Sequence, residues 1–301
     1  MKRIIVLLLS VAATIVASAQ AVPSLLIPSD PVALSMTGVS VSGGADAYAV
    51  ENNSALMAFS EKKMEAAVGY MTWAPSTAAS TALSMGGYYA LNEKLAFGLS
   101  GKLFKDKALE GVTTSGTAKG TYNPQDMVVS LGVSYLAMQG LSAGLSLKYI
   151  SSSLGGGMSG TAFAADLGVA YSKDALSAGV SIANIGTPIS YGGGSYPLPM
   201  LVRAGGSYAL NLGESSTLGL SAEADYIFSG GIMAGAGAEF AFNDTVFVRA
   251  GIHYGNEEKA VPTFAALGLG VKFMGIKLDV AYLLANASIG STLALGLGYS
   301  F

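Results

Sequence analysis

The chain contains no cysteine, which excludes disulfides and thiolate metal sites. It also has little charge. Lys and Arg number 16 and Asp and Glu 19, together 12% of 301 residues, where soluble domains carry about a quarter. With a net charge of -3 and no basic run, no face suits nucleic acid. One histidine, His253, leaves no imidazole cluster for a metal. After residue 20 no apolar run reaches the length of a spanning helix. Yet apolar residues make up 51% of the chain, which excludes a disordered polymer. Glycine, at 40 residues, has no three-residue period, which excludes collagen.

The first residues form an export signal. Lys2 and Arg3 give a positive start, Ile4 to Val16 an apolar stretch, and Ala17-Ser18-Ala19 a small-residue cleavage site. The expected division is a signal over 1–19, an N-terminal hatch over 20–62 and a barrel over 63–301.

From residue 63 one pattern repeats. Large apolar residues alternate with small or polar ones, the period of a strand. Fourteen segments result: 63–73, 80–90, 93–105, 126–138, 141–152, 158–172, 175–184, 199–210, 215–228, 231–242, 245–255, 261–273, 275–284 and 290–301. Tilted strands of about 9–11 residues cross a bilayer. The fold class is therefore all-β: a fourteen-stranded antiparallel transmembrane barrel, in the outer membrane of a Gram-negative bacterium and in contact with membrane lipid. An even count puts both chain ends on the periplasmic side. The last segment shows the pattern most clearly. Leu293, Leu295, Leu297, Tyr299 and Phe301 share one face, and Thr292, Ala294, Gly296, Gly298 and Ser300 the other.

Charges fall on the face opposite the large apolar residues. The expected inward acids are Glu65, Asp166, Glu223, Asp225, Glu239 and Asp279. The inward bases are Lys102, Lys148, Arg203, Arg249, Lys272 and Lys277, with His253 on the same side. A balanced set reads as a paired network fixing hatch to wall, because unpaired buried charge is costly. It argues against an ion-selective pore, which favours one sign. Even-numbered connections are very short, as periplasmic turns are. The third, 106–125, and the seventh, 185–198, are long; the fifth is glycine-rich around Gly155 to Gly157, and only the ninth, Ser229-Gly230, is as tight as a periplasmic turn. The eleventh holds Asn256 to Lys259.

Residues 20–62 do not alternate. Fourteen strands enclose more room than their own side chains fill, and this segment is the candidate filling. Ala21-Val22-Pro23, Leu25-Leu26-Ile27, Asp30, Met36, Val39, Val41, Asp46, Asn53, Ala55 and Ala58-Phe59 follow a spacing that resembles the mature N-terminus of the PorV/PorQ family. Glu61-Lys62-Lys63, Tyr70 and Trp73 continue it. Where that family has Trp-Asn-Pro-Ala, this chain has Asn52-Asn53-Ser54-Ala55. The resemblance implies a Bacteroidetes outer-membrane barrel with a FadL-like fold and a hatch. It also implies service to the type IX secretion system, with secretion subunits or secreted cargo as partners. The hatch motif would then comprise Asp46, Asn52, Asn53, Ser54 and Ala55, and the seventh connection, with Tyr191, Tyr196 and Pro197, a surface docking loop.

The alternative is FadL-like transport of a hydrophobic small molecule, which needs a greasy pocket and a way out through the wall. An enzyme is not expected. A hydrolase needs a nucleophile, a base and an orienting group, and His253 beside Arg249 reads as a hydrogen-bonded lumen residue. Gly268-x-Gly270 lies within a strand with no helix after it, so it is not a dinucleotide loop. No cofactor and no metal is expected.

Overall fold

Alternation of large and small residues sets the architecture, because successive side chains of a strand point to opposite faces. The computed structural model describes residues 20–112, 118–229, 231–255, 261–285 and 290–301. Residues 1–19, the expected signal, and residues 256–260 of the eleventh connection lie outside the described residues. The first strands are β1 (Met64–Trp73), β2 (Ser80–Ala90), β3 (Leu95–Lys105), β4 (Leu109–Val112), β5 (Ala118–Tyr122) and β6 (Gln125–Met138). Next come β7 (Leu141–Gly155), β8 (Met158–Lys173), β9 (Leu176–Gly186), β10 (Ile189–Tyr191), β11 (Gly194–Tyr196) and β12 (Leu201–Asn211). The last are β13 (Ser216–Ile227), β14 (Gly231–Phe242), β15 (Val246–Tyr254), β16 (Phe264–Phe273), β17 (Ile276–Ala285) and β18 (Thr292–Ser300).

Fourteen of these form a closed barrel, and β4–β5 and β10–β11 are separate two-stranded hairpins. The closing seam pairs β1 with β18 antiparallel, from Glu65 opposite Ser300 to Thr72 opposite Leu293. No strand edge of the barrel is left unpaired, as a wall in lipid requires. The sequence-derived boundaries hold to within three residues. The faces hold as well. On β15, Val248 and Ile252 are 47% and 67% exposed on the outer face, while Arg249 and His253 are 2% and 7% exposed in the lumen.

One end of the barrel carries the short turns. Asn243-Asp244 and Met274-Gly275 hold successive residues at positive φ, 52° and 48° and then 49° and 81°, the type I′ geometry that matches strand twist. The other end carries the two hairpins. The fifth connection corrects the expectation that only the ninth is tight at that end. β7 runs on to Gly155 and β8 begins at Met158, so Gly156-Gly157 closes a two-residue turn.

Residues 20–59 run along the barrel's inner wall as a 3-10 turn over Pro23–Leu26, a helical turn over Pro31–Ser35, another over Ala49–Asn52 and a 3-10 helix over Ser54–Phe59. Asp30 caps the second by accepting from Ala33 N at 2.7 Å, with Pro31 at the first helical position. Asn53 caps the last by accepting from Ala55 N. The segment begins at the hairpin end, where Ala21 N donates to Pro197 O at 3.0 Å. It ends at the short-turn end, where Ser60 Oγ bonds Tyr88 Oη. Residue 20 therefore stands at the hairpin end rather than at the short-turn end, while Phe301, which pairs with Met64, lies at the short-turn end. β1 starts there, so a segment that crosses the lumen once must begin at the opposite end. Three apolar clusters along this path form the core, each built around part of the segment: Leu26, Ile27 and Leu34; Ala21 and Val22; Val50, Leu56 and Met57.

Candidate functional site

The lumen interface joins the N-terminal segment to the wall by backbone contact. Gly179 of β9 faces Val41 O, and Gly86 of β2 faces Ala47 O, so close that an added Cβ at either glycine would overlap the carbonyl. Asn53 sits at the centre. Its Nδ2 donates to Val41 O at 3.0 Å and Val169 O at 3.3 Å. Ser142 Oγ donates to Ala55 O at 2.7 Å, and Ser54 and Ala55 pack on Gly144. Asn52 borders a lumen cavity, and Asp46 accepts from Tyr48 N at 2.9 Å.

Charged lumen residues divide into two groups. One group ties wall to wall. Lys148 pairs with Asp166 at 2.6 Å, and Arg249 pairs with Glu239 at 2.5 Å and Asp279 at 2.7 Å. Lys277 lies 3.5 Å from Asp279, and Arg203 3.9 Å from Asp225. The other group ties wall to segment. Glu223 accepts from Ser40 N and Val41 N, both at 2.7 Å. Lys102 Nζ donates to Ser24 O at 2.8 Å and to Ile27 O. Glu65 borders a small cavity together with Asp46 and Ala47 of the segment. Lys272 borders a cavity at the short-turn end together with Glu239 and Arg249. His253 stacks on Phe264, ring centroids 4.7 Å apart, and its Nδ1 bonds Pro262 O at 3.1 Å.

Asp30 of the segment is buried, and half-buried Asp46 borders the same small cavity. Burial first, and the Asp46 charge second, push the Asp30 carboxyl up to about 7. Burial and Glu65 push Asp46 up to about 6.

Several of these residues carry no long-range sequence signal. Asp30 before Pro31 is a capping signal, and Asp126 shares strand parity with inward Val128. Asn184 is different. A bulge on β9, where Ala183 and Asn184 lie opposite the single residue Asp166 of β8, brings it inward, at φ 61°. There it accepts from Lys148 Nζ at 2.9 Å and donates to Pro199 O at 3.0 Å.

At the hairpin end a cavity of about 780 Å³ opens outward. Residues Ala21 to Pro23 line it from the segment, and Trp73, Phe104, Tyr191 and Tyr196 line it from the wall and hairpin. Tyr191 is buried and Tyr196 exposed, their rings 6.0 Å apart. Burial raises the Tyr191 hydroxyl above its ordinary value. Pro197 contributes its carbonyl to Ala21 rather than a side chain to the cavity.

Solved structures of similar fold include the Ralstonia pickettii toluene transporter TbuX, with TM-score 0.66 and 13% identity over 91% of this chain and 98% of that one. The Pseudomonas putida toluene transporter TodX gives 0.65 and 14% over 90% and 97%. A Pseudomonas aeruginosa FadL homologue gives 0.52 and 14% over 91% and 98%. At such identities the likeness concerns the fold. No curated protein matches the sequence. The family model described as type IX secretion system protein PorV matches residues 12–232. This outer-membrane barrel, FadL-like in fold, thus belongs to the PorV family.

Proposed function

We propose that the protein serves type IX secretion or surface attachment of cargo from its mouth, with residues 20–62 acting as a hatch that keeps the lumen shut. The family match over residues 12–232 carries this reading. The interior supports it. One cavity between segment and wall has a volume of about 60 Å³ and is lined by charged groups, among them Lys102, Lys148, Arg203, Glu223 and Asp225; the one at the short-turn end, about 260 Å³, is lined by Glu65, Glu239, Arg249, Lys272 and Lys277. An apolar cavity of about 150 Å³ is what a dry benzene site offers. The seam strands β1, β2 and β3 pair without a break in register, so no way out through that wall supports lateral release. The long hairpins would face the cell exterior and the short turns the periplasm, following the usual loop-length rule. Tyr191 and Tyr196 would then belong to the docking surface, and Asp46 and Asn52 to Ala55 to the hatch motif.

The second reading is transport of a hydrophobic small molecule. It is favoured by the likeness to barrels named as toluene transporters and by the aromatic mouth cavity. Gentle affinity purification from native outer membranes, with mass spectrometry of proteins and lipids, separates the two. Secreted proteins or secretion subunits support the first reading. A bare barrel with one apolar molecule per chain supports the second.

A further inference from the structure

Charge is arranged differently at the mouth and in the lumen. In the lumen acids and bases are intermixed, and several pair, as Lys148 does with Asp166 and Arg249 with Glu239 and Asp279. Among the described residues, the charged groups lining the mouth cavity are Asp106 and Asp126, both acids. Ser80 Oγ donates to Asp106 Oδ1 and Ser24 Oγ to Asp126 Oδ2, each at 2.6 Å, which fixes both carboxylates on the wall. Lys102 and Lys105 are turned elsewhere, and Lys107, next to Asp106, is exposed and outside the lining. Lys102 donates beneath the floor to Ser24 O and Ile27 O. Lys105 is exposed on the opposite face of β3 from buried Phe104.

The apolar part of the lining includes Trp73, Phe104, Tyr191, Tyr196, Leu154 and Met158, beside uncharged polar side chains such as Ser80, Gln125 and Ser152. Ring faces and carboxylates both attract a cation, and carboxylates repel an anion. The volume, about 780 Å³, falls within the range of about 300–1,000 Å³ typical of ligand sites. Its floor is the hatch itself, held by Ala21 N on Pro197 O and by Ser24 on Asp126. A pocket with a fixed floor captures a ligand and returns it through the same opening.

We propose that the mouth cavity is a binding site for a positively charged group carried on an apolar body, foremost a lysine or arginine side chain flanked by apolar residues in an extended secreted chain. The choice of a secreted chain rests on the secretion reading above; the charge selection does not. An apolar carboxylate such as a fatty acid is disfavoured at the same site.

The test is calorimetric titration of the full processed chain in neutral detergent. The probes are two blocked pentapeptides, Leu-Val-Lys-Val-Leu and Leu-Val-Glu-Val-Leu, and the pair n-octylammonium and octanoate. The lysine peptide should bind about tenfold tighter than the glutamate peptide, the scale of one charge contact in a half-buried site. Asp106→Asn and Asp126→Asn should each reduce that preference several-fold. Asp106 is exposed, so its variant tests the charge without loosening the hatch. Glu110→Gln, in β4 and outside the cavity lining, should change nothing. Preference for octylammonium without peptide binding supports the site and counts against the secreted-chain source alone. Equal binding of both peptides and of both octyl probes overturns the proposal, as does an equal effect of Glu110→Gln.

Discussion

Glu223 offers the sharpest test of the link between wall and hatch. Its carboxylate takes two backbone N–H groups, of Ser40 and Val41, each at 2.7 Å, and the side chain is 6% exposed. Hydrogen bonds to a charged group contribute about 1.5–3 kcal/mol each, and a buried donor left unmet costs about 1–3 kcal/mol. These terms describe the same loss from two sides and do not add in full. Glu223→Ala should therefore destabilise the protein by about 3–5 kcal/mol. Arg203 would also keep only the looser Asp225 contact at 3.9 Å. Glu223→Gln keeps an acceptor oxygen and should cost less, about 1–2 kcal/mol. Trp73, the one tryptophan, packs in the same apolar cluster as Leu26 and Ile27 of the hatch. Its fluorescence during urea unfolding in lipid vesicles reads hatch packing directly. A shift of less than about 0.5 kcal/mol for Glu223→Ala, the scatter of ordinary surface changes, would refute the anchoring role.

Three further outcomes follow from the same geometry. Leu295→Arg, on the outer face of the closing strand, should cost about 2–4 kcal/mol in a vesicle folding assay; no loss would mean that the strand faces are reversed. Deleting residues 20–60 should convert a silent barrel into a conducting one in planar bilayers, and silence after deletion would contradict the hatch. Hatch stability should fall as pH rises. The Asp30 carboxyl keeps its proton up to about 7 when folded, against 3.8 ordinarily, so between those values the folded state binds more protons than the unfolded state. Its contribution is fully present below the ordinary value and is lost as pH rises through the folded one. Asp30→Asn keeps a capping oxygen and should flatten the urea midpoint between about pH 4 and pH 8; an unchanged slope would remove Asp30 from the account.

The barrel was legible in the sequence because period two acts residue by residue. Once Val248 and Ile252 face outward, Arg249 and His253 must face inward, and the same parity places Glu223 and Asp279. The direction of the N-terminal segment was not legible. Residues 20–62 have no repeating period, and nothing local says at which end a single pass begins; the start of β1 and the Ala21–Pro197 bond decide it. The β10–β11 hairpin was hidden for a different reason. Its strands are three residues long around Gly192-Gly193, at φ 55° and 110°, too short for alternation to stand out from a loop. Asn184 entered the lumen through a bulge, which breaks the parity that made the other inward residues readable. The mouth cavity depends on residues from β1, β3, β10 and the hatch meeting in space, a juxtaposition that only the closed barrel creates.

The central claim is that this protein works from its mouth on secreted chains. A photo-crosslinking residue in place of exposed Tyr196, activated in living cells, tests it most directly. The account predicts covalent adducts with identified secreted proteins or secretion-machine subunits, absent when the same residue replaces lipid-facing Leu295. Adducts confined to lipids or small apolar molecules at Tyr196 would contradict it.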